Sequence, residues 1–229
     1  MAEVEPRRLR EAAQFDVRCL RCDITRESDV KHALDTVLAE HGRVDILVNN
    51  AARNPKVEDT NGLRESRLEN FPLDQWQADL AVGLTGALIC SRVFGAEMAR
   101  RGKGVIVNIA SDLALIAPDQ RLYEVDGQSA ENQPVKPVSY SVVKTGLIGL
   151  TRYLATYWAA QGVRANALCP GGVENGQNVV FLQRIAERIP LQRMAAQDEY
   201  QGAMIFLCSD ASSYMTGATM VIDGGRSVW

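Results

Sequence analysis

The 229-residue chain has no unbroken run of about 18 apolar residues, so no spanning helix is expected. Its first residues, MAEVEPRRLREAA, are charged and have no apolar centre, so they do not read as a secretory signal and a cytoplasmic protein is expected. Charge of one sign is also lacking. A net charge of -3 and a pI of about 5.5 give no electrostatic reason to expect nucleic acid or an anionic membrane as partner. The two histidines, His32 and His41, fall on helix-like stretches, and no metal site is expected.

Cysteine is sparse and odd in number: Cys19, Cys22, Cys90, Cys169 and Cys208. Scattered positions argue against a disulfide framework. Cys19 and Cys22 form a CxxC, which admits a redox reading. The pair lies in FDVRCLRCDI, however, whose alternation predicts a strand, and a spacing of three along a strand points two side chains to opposite faces.

What is present is an alternation of strands and helices. Strands are predicted at 16–22, 44–48 (VDILV), 104–110 (GVIVNIA), 163–168 and 218–222. Thr25 can cap a helix that carries Val30, Leu34, Val37 and Leu38 and stops at Gly42. Further helices are predicted at about 73–100, 138–161, 177–188 and 197–208, with a polar loop at 53–71 and a long irregular polar insertion at about 112–137. The pattern predicts one α/β domain over 1–229, a doubly wound parallel sheet of the Rossmann kind, whose ligands bind at the carboxyl ends of the strands.

The residues that can carry chemistry sit where such a sheet would put a site. Tyr140 and Lys144 are four apart on a predicted helix and share a face. An ammonium beside a phenol favours the phenolate, so Lys144 is expected to lower the Tyr140 pKa and make it a general acid/base for an alcohol or a ketone. Ser111 directly follows the strand GVIVNIA and can hold the same substrate oxygen. Asn49-Asn50-Ala51-Ala52 follow VDILV, small enough for a cofactor to approach the backbone. Asp23-Ile24 follow the first predicted strand, where the carboxylate could accept from an adenine amine, and Pro170-Gly171-Gly172 follow the strand ending at Leu168.

This set resembles the short-chain dehydrogenase/reductase family: the Asp after an early strand, NNAA, the Ser after the next strand, YxxxK, the PG turn and the ending TGATMVIDGG, over about 16–229. The resemblance implies a reversible NAD- or NADP-dependent oxidation of a secondary alcohol in a small-molecule substrate, with a sugar or polyol as candidate. It implies Ser111, Tyr140 and Lys144 as catalytic residues. Asp23, Ile24, Asn49, Ala51, Tyr140, Lys144, Pro170, Gly171 and Val173 would bind the cofactor. It also implies a homo-oligomer, dimer or tetramer, packed through the long central helices.

Three departures accompany the resemblance. The 229 residues hold no glycine-rich turn of the TGxxxGxG kind; Gly83-x-x-Gly86 and Gly146-x-x-Gly149 fall inside helical stretches. The fold is therefore expected to lack its first strand-helix-strand unit, as a shortened form. Gly83, 28 residues before Ser111, stands where the family usually has an Asn that links the lysine to solvent. The Ser111–Tyr140 separation of 29 is longer than usual in the family. The surplus, with APDQRLY, is similar to a subgroup that modifies flagellin and surface sugars, and Arg53, Arg121 and Lys136 could face the substrate. The first two departures also admit a catalytically impaired remnant that acts only in assembly.

Overall fold

The computed structural model describes residues 17–53 and 65–229. The first residue of the predicted 16–22 strand and the stretch 54–64 of the predicted loop lie outside the described residues.

Among the described residues, four strands form the sheet: β1 (Ile46–Asn49), β2 (Gly104–Ile109), β3 (Val163–Pro170) and β4 (Thr219–Ile222). They lie in the order β1-β2-β3-β4, and every neighbouring pair is parallel. The central strands are runs of Val, Ile and Ala buried on both faces, as a sheet covered by helices requires. Among the described residues, five α-helices surround it: α1 (Glu27–His41), α2 (Leu73–Arg101), α3 (Val138–Trp158), α4 (Val179–Ala186) and α5 (Gln201–Cys208).

One face of the sheet packs on α2 and α3 through Met98, Ile106, Leu154, Val163 and Ala165. The other packs on α5 through Val105, Val107, Leu168 and Leu207. α1 lies on α2, where Val30 closes over Cys90 and Val93. The expected doubly wound arrangement is thus present. Glu27 and Asp29 in the first turn of α1 favour its positive end, and α1 and α2 stop at Gly42 and Gly102, whose φ values of 69° and 77° suit glycine. α2 is long and apolar enough to span a bilayer by length and composition, which the search for unbroken apolar runs did not anticipate. Its residues Ala87, Cys90, Val93 and Met98 are instead buried within the fold, as in a core helix.

The predicted strand at 16–22 does not form: 17–23 has no regular structure. A strand is stabilised by its ladder, and no strand among the described residues lies beside this segment. The same open edge shows on β1, where Ile46 and Val48 are 44% and 40% exposed while Val105 and Val107 on β2 are buried. Thr25 does not cap α1 either. Arg26 holds that position without a side-chain bond, and Thr25 instead donates its N–H and hydroxyl to Asp23 Oδ1, at 3.0 and 2.7 Å. The long second helix carries a π-helical turn over Ala81–Thr85, which contains Gly83. Such a turn is uncommon and often marks a functional site.

The insertion is anchored. Leu122 is buried among Ile185, Ile189 and Met194, and Tyr123 lies 5.7 Å from Phe181, centroid to centroid. Asp119 accepts from Arg121 and from Arg188, which holds its carboxyl far below the usual range, and Arg184 donates to the Glu124 carbonyl at 2.6 Å.

Candidate active site

The ends of β1, β2 and β3 and the start of α3 converge on one edge of the sheet. Beneath that edge runs a buried polar ladder. Asn49 Nδ2 donates to Asn108 Oδ1 at 2.8 Å and to Ser91 Oγ at 3.0 Å; Asn108 Nδ2 donates to Thr151 Oγ1 at 2.8 Å; Thr151 Oγ1 donates to the Leu147 carbonyl at 2.7 Å. The ladder ties β1, β2, α2 and α3 together, and each buried polar atom in it has a partner. Asn49 is thereby committed to the scaffold, turned inward rather than toward a cleft.

Above the ladder the structure brings Ser111, Tyr140 and Lys144 together. Pro137 starts α3 and fixes the entry of the chain, so Tyr140 falls in the first turn and Lys144 one turn on. The Lys144 Nζ donates to the Ile109 carbonyl, at the end of β2, at 2.7 Å, and lies 5.7 Å from the Tyr140 ring centroid. The phenol is hydrogen-bonded with the Ser111 hydroxyl. Ser111 Oγ in turn donates to Asp112 Oδ1 at 2.8 Å.

The electrostatics differ from expectation in one respect. Burial pushes the Tyr140 phenol up from its ordinary value; the Ser111 hydrogen bond opposes this, and the Asp112 charge adds to it. Burial also pulls the Lys144 ammonium down to about 8. The sequence reading counted the charge of the lysine and not the desolvation of both groups. A second ammonium, Lys136 from the insertion, lies 4.0 Å from the Tyr140 ring centroid and is pulled down to about 8 by burial, then by Lys144. Of the three basic residues expected at the substrate mouth, it alone meets Tyr140. Arg121 is bound to Asp119, and the Arg53 Nε lies 3.7 Å from Asp79 Oδ1.

Pro170 closes β3, and Gly171 continues along the same edge, its N–H donating to the Ile222 carbonyl at 2.8 Å and its carbonyl accepting from the Tyr200 hydroxyl at 3.0 Å. Val173 makes a parallel bridge with Ala195. Ala51 is exposed just past β1. Asp23 and Ile24 are not gathered with these residues. The Asp23 carboxylate is taken up by the turn with Thr25, and Ile24 packs on α2, where a Cβ on Gly86 would meet its Cδ1 at 2.7 Å. Cys22 packs beneath them; burial, then Asp29 and Asp23, push its thiol up, the opposite of an activated redox cysteine.

Sequence reasoning missed two partners. Arg226 reaches back 114 residues to donate to Asp112 Oδ2 at 2.7 Å, with both side chains nearly buried. Asp79, on α2, is buried and accepts from Ser139 Oγ at 2.6 Å. A small pocket, with room for about one water molecule, borders Tyr140 and Lys144 and is bounded by Asp79, Gly83, Ser139 and Arg53.

The sequence profile of a family described as enoyl-(acyl carrier protein) reductase matches residues 2–227. The D-threitol dehydrogenase of Mycolicibacterium smegmatis is 34% identical over 216 residues, covering 92% of this chain and 74% of that protein. The galactitol 2-dehydrogenase of Rhizobium johnstonii is 34% identical over 225 residues, covering 94% and 77%. A gluconate 5-dehydrogenase from Burkholderia cenocepacia, solved in complex with NADP and tartrate, superposes with a TM-score of 0.78 at 29% identity, covering 97% of this chain and 80% of that one.

Proposed function

The chain belongs to the short-chain dehydrogenase/reductase family, and from that premise we propose that it interconverts a secondary alcohol and a ketone on a polyol or sugar-derived substrate with NAD or NADP. The observation that carries the reading is the convergence of Tyr140, Ser111 and Lys144 at the carboxyl edge of a parallel sheet. Relatives that act on threitol and galactitol support the substrate class.

The residues present fit the reactive end of a nicotinamide dinucleotide. A phenol, a hydroxyl and an ammonium stand together, with the exposed Ala51 and the half-buried Gly171 on the same edge. Bound there, the nicotinamide supplies the hydride acceptor or donor. Tyr140 takes the hydroxyl proton of the alcohol or returns it to the ketone. Ser111 holds the substrate oxygen beside the phenol. Lys144, anchored on the Ile109 carbonyl, would help hold a bound coenzyme and would offer its ammonium to the developing phenolate. Desolvation strengthens each of these electrostatic interactions.

A homo-oligomer is part of the same proposal. Tyr153 and Tyr157 stack at 5.6 Å on the outer face of α3 and are about 60% exposed, and Leu88 is exposed on α2. Apolar surface of this kind on the long helices is suited to a second copy.

The test is steady-state reduction of NAD and NADP with D-threitol, galactitol and aldonates as substrates. Turnover with at least one polyol, abolished in Tyr140→Phe, is expected. No turnover with any of them on either coenzyme, or an unchanged rate in Tyr140→Phe, would remove the assignment.

A further inference from the structure

Oxidising an alcohol leaves a proton on Tyr140 that must reach solvent before the next turnover, and the residue is half-buried. Lys144, one turn on, is only 6% exposed. A way out through the protein has to pass a group that can accept a proton and that links the pocket to an exposed side chain.

The pocket beneath the pair holds such a group. Asp79 is 5% exposed, and its Oδ1 has no hydrogen-bond partner among the described residues. A buried carboxylate oxygen left without a donor is costly. It borders the same small pocket as Tyr140 and Lys144, which has room for about one water molecule to bridge them. The other oxygen, Oδ2, accepts from Ser139 at 2.6 Å, which fixes the orientation of the carboxylate. On the outer side the half-exposed Arg53 guanidinium stands 3.7 Å from Oδ1. The titratable and charged groups around this pocket are Arg53, Lys144 and Tyr140.

Gly83, one turn beyond Asp79 on α2, keeps the pocket open. A Cβ at Gly83 would lie 2.5 Å from Val143 Cγ1, so the packing as it stands admits no side chain there. Whatever proton-carrying group the pocket uses must come from another position.

We propose that Asp79 is the proton-relay residue of this site. Resting on the oxidoreductase reading above, the route is as follows. The substrate hydroxyl proton passes to the Tyr140 phenolate as the hydride leaves for the oxidised nicotinamide. The phenol proton then moves through water in the pocket to Asp79 Oδ1, and leaves to solvent beside Arg53. Ketone reduction runs the route inward. Asp79 acts through water and touches neither substrate nor coenzyme.

The experiment compares Asp79→Asn and Asp79→Ala with the parent in polyol oxidation, in light and heavy water, with and without added formate or imidazole. The expected result is a kcat lowered roughly tenfold to a hundredfold with KM unchanged, a larger solvent isotope effect, and recovery of Asp79→Ala by the added buffers. A second arm uses coenzyme-free protein with isotope-labelled lysine. Lys144 borders the same pocket, so its ammonium protons exchange through the same water, and their NMR exchange with solvent should slow several-fold in Asp79→Asn. Parental kcat and isotope effect in both variants would overturn the proposal. So would a lost rate that no buffer restores, or unchanged ammonium exchange. A parent that oxidises no polyol overturns the oxidoreductase reading instead, and the exchange arm alone then decides the role of Asp79.

Discussion

The Lys136 ammonium stands 4.0 Å from the centroid of the Tyr140 ring, closer than the Lys144 ammonium at 5.7 Å. The insertion therefore delivers an amine to the face of the phenol, and burial brings its ammonium to about 8 while it pushes the phenol above its ordinary value. The charge on Lys136 is thus lost before the coenzyme-free phenol titrates, and Lys136→Met is expected to leave the alkaline titration of Tyr140 close to the parent's. Ultraviolet titration of the coenzyme-free protein, with Tyr140→Phe as the blank, measures it. A Tyr140 pKa raised in the variant by about half a unit or more would show that Lys136 keeps its proton in the alkaline range and acts as a cation on the phenolate.

Tyr140 and Ser111 share one hydrogen bond but not one role. Tyr140→Phe removes the proton donor and should lower kcat by ~10²–10⁴-fold. Ser111→Ala removes the hydroxyl that would turn its one proton from Asp112 Oδ1 to the substrate oxygen, and should cost about 10²-fold. Reduced-coenzyme fluorescence should report near-parental binding in both. Loss of coenzyme binding in Ser111→Ala would show that the serine organises the cleft rather than the substrate.

How much of this was legible in the sequence depends on the range of the interaction. Strands β1 to β4 were readable because short apolar runs between helices have few other uses. The strand at 16–22 was not, because its alternation is real but a ladder needs a neighbour that the chain's own periodicity does not report. Tyr140, Lys144 and Ser111 were readable from spacing and from their place after β2. The Asp112–Arg226 pair joins residues 114 positions apart, and no local pattern announces it. The place of Asn49 after an apolar strand points to a cofactor contact, and its side-chain amide donates to Ser91 and Asn108. The charge of Lys144 is visible in the sequence, whereas the burial that pushes the Tyr140 phenol up is a property of the fold.

The Arg226–Asp112 pair is nearly buried, at 10% and 3% side-chain exposure. Removing the cation alone leaves a desolvated carboxylate, so Arg226→Met should destabilise the fold by about 3–5 kcal/mol. Replacing both partners, as Arg226→Met with Asp112→Leu, should cost clearly less. Urea unfolding of the three proteins checks this. Equal losses in the single and double variants would mean that the ion pair serves packing rather than charge compensation.

Asn108 is fully buried and is the middle rung of the ladder, accepting from Asn49 and donating to Thr151. Asn108→Ala strands a donor on one side and an acceptor on the other. Unsatisfied buried groups of this kind cost ~1–3 kcal/mol each, so a loss of about 2–4 kcal/mol is expected from unfolding curves. A smaller loss would mean that water enters beneath the site and replaces the amide.

Lys144 makes the stability of the fold depend on pH in a direction opposite to that of an ordinary paired lysine. Its ordinary pKa is 10.5, and burial brings it to about 8 in the folded chain. Below pH 8 both states carry the charge, and the folded state bears the full desolvation penalty. Between pH 8 and 10.5 the unfolded chain holds a proton that the folded chain has released, so stability rises with pH, by up to about 3 kcal/mol. Other groups act against this at higher pH. Burial pushes Cys90 to about 11 and Tyr123 and Tyr200 to about 12, so the folded chain keeps their protons after the unfolded chain has lost them, and stability falls. The lysine is therefore isolated by difference. Melting temperatures of the parent and Lys144→Met, measured from pH 6 to 9.5, should diverge in favour of the parent as pH rises through the upper end of that range. A gap that stays constant would mean that the ammonium, even with its bond to the Ile109 carbonyl, is solvated well enough to titrate as it does in the unfolded chain.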